Sequence, residues 1–122
     1  MATVLTNGGE QWACEAMAQT SALSGQYIDW GTGAGTAAKA DTDVFTVSAE
    51  ARVAGTVSVT GTGATAKYQV VGTMTASATR AITNAGNFQN STGANIIVHG
   101  DFATINLATN DAIQFTITID PS

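Results

Sequence analysis

Past Ser24 the apolar residues of this chain recur at every second position, a period that fits an extended strand and not a helix. The sharpest case is "AIQFTITID". There Ile113, Phe115, Ile117 and Ile119 share one face, and Gln114, Thr116 and Thr118 share the other. "QYIDW" (26–30) reads as a strand. "ARVAGTVSVTGT" (51–62) sets Val53, Gly55, Val57 and Val59 against Arg52, Ala54, Thr56, Ser58 and Thr60. A turn at "TGTG" (60–63) and a return strand over 65–77 predict one long hairpin. "RAITNAGNF" (80–88) predicts a short strand broken at Asn-Ala-Gly. "ANIIVHGDF" (94–102) predicts another, and 103–120 two more around "TND". The single proline, Pro121, lies outside all of them. Seven or so short strands imply a mainly β chain folded as a single antiparallel β-sandwich, jelly-roll-like or a flattened barrel.

The N-terminal segment has a different rhythm. "MATVLT" is strand-like, and "NGGEQWACEAMAQT" carries helical spacing. Asn7 followed by Glu10 resembles a capping box, so a short helix is predicted over about 8–20, with Ala13, Ala16 and Met17 lining an apolar stripe. Trp12 and Trp30 sit in apolar contexts and read as core. Cys14, the sole cysteine, reads as a small buried apolar residue and leaves no internal disulfide possible. A chain of 122 residues is expected to form one domain over 1–122, burying about two-thirds of its unfolded surface.

Charge narrows the partners. Charged residues are only 11% of the chain, whereas Ala, Thr and Gly number 22, 20 and 13. A surface polar through hydroxyls and amides suits contact with neighbours, because few charges must be desolvated. Net charge is −5, and the four basic residues Lys39, Arg52, Lys67 and Arg80 are scattered. Nucleic acid and acidic membrane surfaces are therefore not expected partners. No apolar run approaches a membrane span, and "MATVLTNGGE" carries no secretory signature, so synthesis in a cytoplasm is expected.

Each motif that suggests chemistry fails a specific test. In "WGTGAGTAAKADTDVF", Gly31, Gly33 and Gly35 follow a strand and precede Lys39. A P-loop needs lysine directly after its last glycine and then Ser or Thr, but "TAA" intervenes and Ala40 follows. A dinucleotide fingerprint needs G-x-G-x-x-G opening a helix, and neither spacing nor helix is present. Asp41 and Asp43 form a D-x-D without the further oxygens of a calcium loop, so a strand-entry turn capped by Asp41 is expected. His99 and Asp101 share a strand face, yet no second His, Cys or Glu stands near to complete a metal site. No G-x-S-x-G supports a serine nucleophile. Glu10, Glu15 and Glu50 would be the acids of a glycosidase, with Tyr27 and Tyr68 able to stack on sugars, but no pairing is visible. No catalytic residue, cofactor or metal is expected.

The order "VLTNGGEQW", "YIDWGTGAGTAAKADTDVFT", "EARVAGTVS", "YQVVGTMTAS", "AITNAGNF" and "NIIVHGDFATINLATNDAIQFTITI" resembles a group of small virion proteins of tailed bacteriophages. Those chains share a W-G-x-G-T segment, an E-x-R-V-x-G-T element, an I-T-E-A-G-L-F element and a closing G-D-F…L-x-x-G-D-x-I-x-F-T run. The resemblance covers nearly the whole length. This chain departs from it with Asn84 in place of an acid and Asn110 in place of glycine, both expected in turns. The resemblance implies a structural role in the particle. The first expectation is a head decoration (cement) protein that binds the major capsid protein as a symmetric dimer or trimer. The alternative is a tail or fibre component with an adhesive role. Residues 2–20 and the open glycine loop 31–43, including Gly31, Gly33, Gly35, Asp41 and Asp43, are the expected contact segments. The acidic balance favours the outer particle surface over a DNA-facing one.

Overall fold

The computed structural model describes residues 1–20 and 24–121. They form strand β1 (Thr3–Leu5), helix α1 (Asn7–Met17), and strands β2 (Tyr27–Gly31), β3 (Val53–Ala54), β4 (Thr56–Thr60), β5 (Lys67–Thr75), β6 (Arg80–Phe88), β7 (Ile96–Leu107) and β8 (Ala112–Ile119). Two antiparallel sheets pack face to face, one of five strands ordered β1-β7-β6-β2-β3 and one of three ordered β4-β5-β8. The mainly β, sandwich-type fold with one N-terminal helix agrees with the period-two reading.

Alternation fills the core. Ile28 and Trp30 from β2, Val70 and Met74 from β5, Ile82 and Ala85 from β6, and Leu107 from β7 are buried between the sheets. The half-buried face of β8, with Ile113, Phe115 and Ile117, packs against them. Trp30 and Phe115 meet edge to face with ring centroids 6.3 Å apart. Each such buried side chain contributes about 1.5–3 kcal/mol of transfer free energy.

The predicted hairpin over 51–77 is present in part. The β4–β5 ladder runs from Thr56↔Val71 to Thr60↔Lys67, but residues 53–54 pair with β2 in the other sheet. The chain changes sheets at Gly55. A Cβ there would lie 2.7 Å from the Val71 carbonyl oxygen and 2.9 Å from Val70 Cγ2, so only glycine lets the backbone pass so close. This crossing closes one side of the sandwich. On the opposite side, where β1 and β7 face β8, the described residues leave a groove.

Other boundaries shift for identifiable reasons. The N-cap is Thr6, not Asn7: Thr6 Oγ1 accepts from Gly9 N–H at 3.0 Å and donates to the Ile96 carbonyl at 2.7 Å. Strand β7 therefore selects which hydroxyl caps the helix. Glu10 pairs with Lys39 instead of completing a capping box. The helix stops at Met17, and Gln19 takes φ +59° just beyond it. Only one flank of α1 is buried, through Gly9 and Trp12, which packs with Ile97, Val98 and Tyr68. Cys14, expected to be buried, lies off that flank and is exposed, and of the predicted stripe Ala16 and Met17 are exposed. Residues 94–107 do not make two strands but the single long β7, whose extra residues opposite β6 are absorbed as register shifts.

Candidate functional site

Residues 32–52 leave β2 without a helix or long strand of their own and return to β3. They form a strap across the outer face of the five-stranded sheet. Its two limbs pair with each other and with β2: Thr32 N–H donates to Thr46 O at 2.9 Å, Gly33 N–H donates to Phe45 O at 3.0 Å, and Val47 bridges Gly31. The glycines of the opening motif serve this close return. A Cβ on Gly31 would overlap the Phe45 carbonyl and approach Asn84 Nδ2 to 2.9 Å. The loop predicted to be open is thus fastened onto its own sheet, although Gly35 and residues 38–40 stay exposed on its crest.

Three side-chain clusters hold it. In the first, Asn84 of β6 accepts from Phe45 N–H at 2.8 Å and donates to Phe45 O at 3.1 Å, which fixes its amide orientation. His99 Nε2 meets Asn84 Oδ1 at 3.0 Å, and Nδ1 meets Asp41 Oδ2 at 2.7 Å. The ring is fully buried, with the Phe45 ring edge-on 4.6 Å away. Asp41 also accepts from Ala38 N–H at 2.7 Å and so closes a turn over 38–41, but that turn leads on through the strap and not, as expected, into a strand. In the second cluster, Arg52 lies 3.6 Å over the Phe88 ring and pairs with Asp29 Oδ2 at 3.5 Å and Asp43 Oδ1 at 3.8 Å. It also donates to the carbonyls of Asn90 and Gly93. Burial raises the pKa of Asp29 above its ordinary value, against the opposing pull of Trp30 N–H and Arg52. In the third, Asp101 Oδ1 accepts from Ala37 N–H at 2.8 Å and Ala2 N–H at 3.0 Å. Those backbone donors, Ala37 first, lower its pKa.

A fifth carboxylate closes the end of the sandwich. Glu50 accepts from Trp30 Nε1 at 2.9 Å, Ser48 Oγ at 2.5 Å, Ser77 N at 3.0 Å, Ser77 Oγ at 2.6 Å and Arg80 Nε at 3.0 Å. Burial alone would raise its pKa. The donors from Ser48, Ser77 and Trp30 outweigh that and hold it far below the carboxylate range.

His99 and Asp101 share the outer face of β7, as their spacing suggested, but each bonds to other partners. Asp43 pairs with Arg52, and Asp41 with His99, so the D-x-D acids point to different partners. Glu10 is bound to Lys39, apart from the Glu50 cluster. Among the described residues no group of three or more His, Cys, Asp or Glu is arranged to hold a metal ion. The sequence reading missed Asn84, which lies within the continuous strand β6 and is fully buried, not in a turn. A signal was available: an asparagine inside a strand pattern must satisfy an amide there. Asn110 does lie in a turn, at φ +73°, the conformation for which glycine is the favoured residue.

The remaining surface has two notable parts. The outer face of the three-stranded sheet presents Ser58, Thr73, Gln114, Thr116 and Thr118, all exposed and uncharged. At the open side of the sandwich lies a mainly apolar groove of about 210 Å³, lined by Thr3, Val98, Gly100, Phe102, Phe115 and Ile117 among others.

These features define a strapped, two-sheet antiparallel sandwich whose buried polar groups are bonded internally. Comparison with protein-family models, curated proteins and solved structures finds no match to this chain.

Proposed function

We propose that this chain is a structural protein of a tailed-bacteriophage virion, acting as a head decoration (cement) protein that binds and stabilises the assembled capsid. The observation that carries the reading is how polarity is distributed. Its buried acids and His99 are bonded within the fold, whereas the outer face of the three-stranded sheet carries mainly hydroxyls and amides, its charge confined to the mutually paired Lys67 and Asp120 at one end. Such a face is cheap to desolvate and fits a broad, matched protein surface. The sequence elements that resemble the phage proteins supply the strap and its anchors, Gly31, Asp41, Phe45, Arg52 and Asp101. Their shared role is to make a rigid module, which suits adhesion. Self-association on the particle surface, with the major capsid protein as partner, belongs to this reading.

The test adds purified protein to particles from which its gene has been deleted. Saturable binding to filled heads, absence of binding to free capsid protein, and higher resistance of the heads to heat and osmotic shock are the expected results. Heads that bind none of it, together with lost host adsorption, overturn the cement role and place the protein in the tail as an adhesive component.

A further inference from the structure

Sheet edges expose unpaired backbone donors and acceptors, and natural proteins blunt them with short strands, charges, proline or bulges. Three of the four outermost strands here are short: β1 has three residues, β3 two and β4 five. The fourth, β8, has eight residues, Ala112–Ile119, and contains no charge, proline or glycine. Its register with β5 is unbroken from Thr75↔Ala112 to Tyr68↔Ile119, so no bulge turns it aside. On its far side it pairs with no strand among the described residues. Helix α1 packs mainly on β7, and β8 reaches the cluster around its Trp12 with the inner side chains Ile117 and Ile119. The inner side chains of β8 border the open groove, through Phe115 and Ile117.

We infer that β8 is a self-pairing edge, and that its occupant is β8 of a second copy of this chain, antiparallel about a two-fold axis at Thr116. The strand's own sequence selects the partner. With Thr116 opposite Thr116 of the second copy, Phe115 falls opposite Ile117, and Ile113 opposite Ile119. All four inner apolar residues then meet apolar partners. On the outer face Gln114 falls opposite Thr118, amide to hydroxyl. Asp120 falls opposite Ala112, so no two carboxylates meet across the seam. Moving the axis to Phe115 would instead set Ile119 against Asp111, and an axis between residues would place inner side chains against outer ones. The pairing is isologous and closed. It joins two three-stranded sheets into one of six and doubles the largely uncharged outer face. This deepens the self-association in the reading above, but it stands on the β8 edge alone.

The experiment uses the isolated full-length protein. Sedimentation at high micromolar concentration is expected to give twice the 12.3 kDa chain mass. The variant Gln114→Lys/Thr116→Lys/Thr118→Lys changes only exposed outer-face positions and opposes like charges at three pairs. Each pair is expected to cost about fivefold in association, so together roughly a hundredfold. The corresponding triple Glu variant is expected to be monomeric too, and a mixture of the two to restore a dimer. Circular dichroism and melting of each variant confirm that it is folded. In a Cys14→Ser background, Thr116→Cys is expected to cross-link two chains under mild oxidation, because residues on the axis face each other at disulfide range. A wild type that remains at 12.3 kDa overturns the proposal, as does a dimer that survives the lysine variant or gives no Thr116→Cys cross-link. Failure to bind capsids leaves this mass measurement unaffected, so the two readings fail separately.

Discussion

Glu50 offers the most demanding test of how the sandwich is tied together. The carboxylate is 8% exposed and holds the strap, through Ser48, to Ser77 after β5 and to Arg80 at the start of β6. It also satisfies the indole N–H of Trp30, a residue with no exposed surface. Glu50→Ala leaves that N–H buried without an acceptor, which costs about 1–3 kcal/mol. Loss of the charge-assisted bonds from the serines adds about 1–2 kcal/mol, while half-open Arg80 recovers water. A net loss of about 3 kcal/mol follows. With about 2.1 cal/mol/K of unfolding entropy per residue, that lowers Tm by about 12 °C. Glu50→Gln keeps an acceptor but turns an amide N–H toward donors, so about half the loss is expected.

The same carboxylate sets a pH dependence with a definite sign. Its folded pKa lies below the ordinary 4.5, so its contribution is present above about pH 4.5 and is lost as pH falls below it. Asp101 acts in the same direction, whereas Asp29, with its pKa raised, acts in the opposite one. Urea melts of wild type and Glu50→Gln at pH 7 and pH 3 cancel both of those and isolate Glu50. The gap between the two proteins is expected to shrink at pH 3. A Glu50→Ala loss below about 1 kcal/mol, the worth of one ordinary hydrogen bond, or a gap independent of pH, refutes the reasoning.

Three further outcomes follow from the strap and turns. Gly31→Ala drives a methyl into the Phe45 carbonyl and is expected to cost about 2–3 kcal/mol in urea denaturation, with exposed Gly8→Ala, whose methyl would meet nothing closer than 3.6 Å, as the comparison. Arg52→Met leaves Asp29 buried without its cation and is expected to cost about 3–5 kcal/mol. Adding Asp29→Asn is expected to recover much of that in a double-mutant cycle. Asn110→Gly relieves a left-handed residue and is expected to leave stability equal or up to about 1 kcal/mol higher, whereas Asn110→Val at the same site is expected to lower Tm.

The sandwich was legible because its alternating strands have cores that the period names directly. Ile113, Phe115 and Ile117 face inward as read, and Trp12 and Trp30 are buried. The sheet change at Gly55 was not legible, because alternation carries through the glycine and only the approach to Val70 and Val71 reveals the crossing. Thr6 outcompetes Asn7 as N-cap for a similar reason, since its hydroxyl is held by β7, ninety residues away. Asp41, Asp43 and the glycines were visible as a turn-rich loop. Their partners His99, Arg52 and Asn84 are 58, 9 and 39–53 residues distant, separations that local pattern does not encode.

That distance has a kinetic consequence. The strap's anchors come from β2, β6 and β7, so its landing surface exists only after the five-stranded sheet has assembled. Ordering residues 32–52 before then would spend chain entropy without compensating contacts. Docking of the strap thus belongs to the native side of the folding barrier. Substitutions at Arg52, Asn84 or Asp41 are expected to quicken unfolding while leaving the refolding rate nearly unchanged. The clusters on the outer face therefore govern how long a folded molecule persists before it opens.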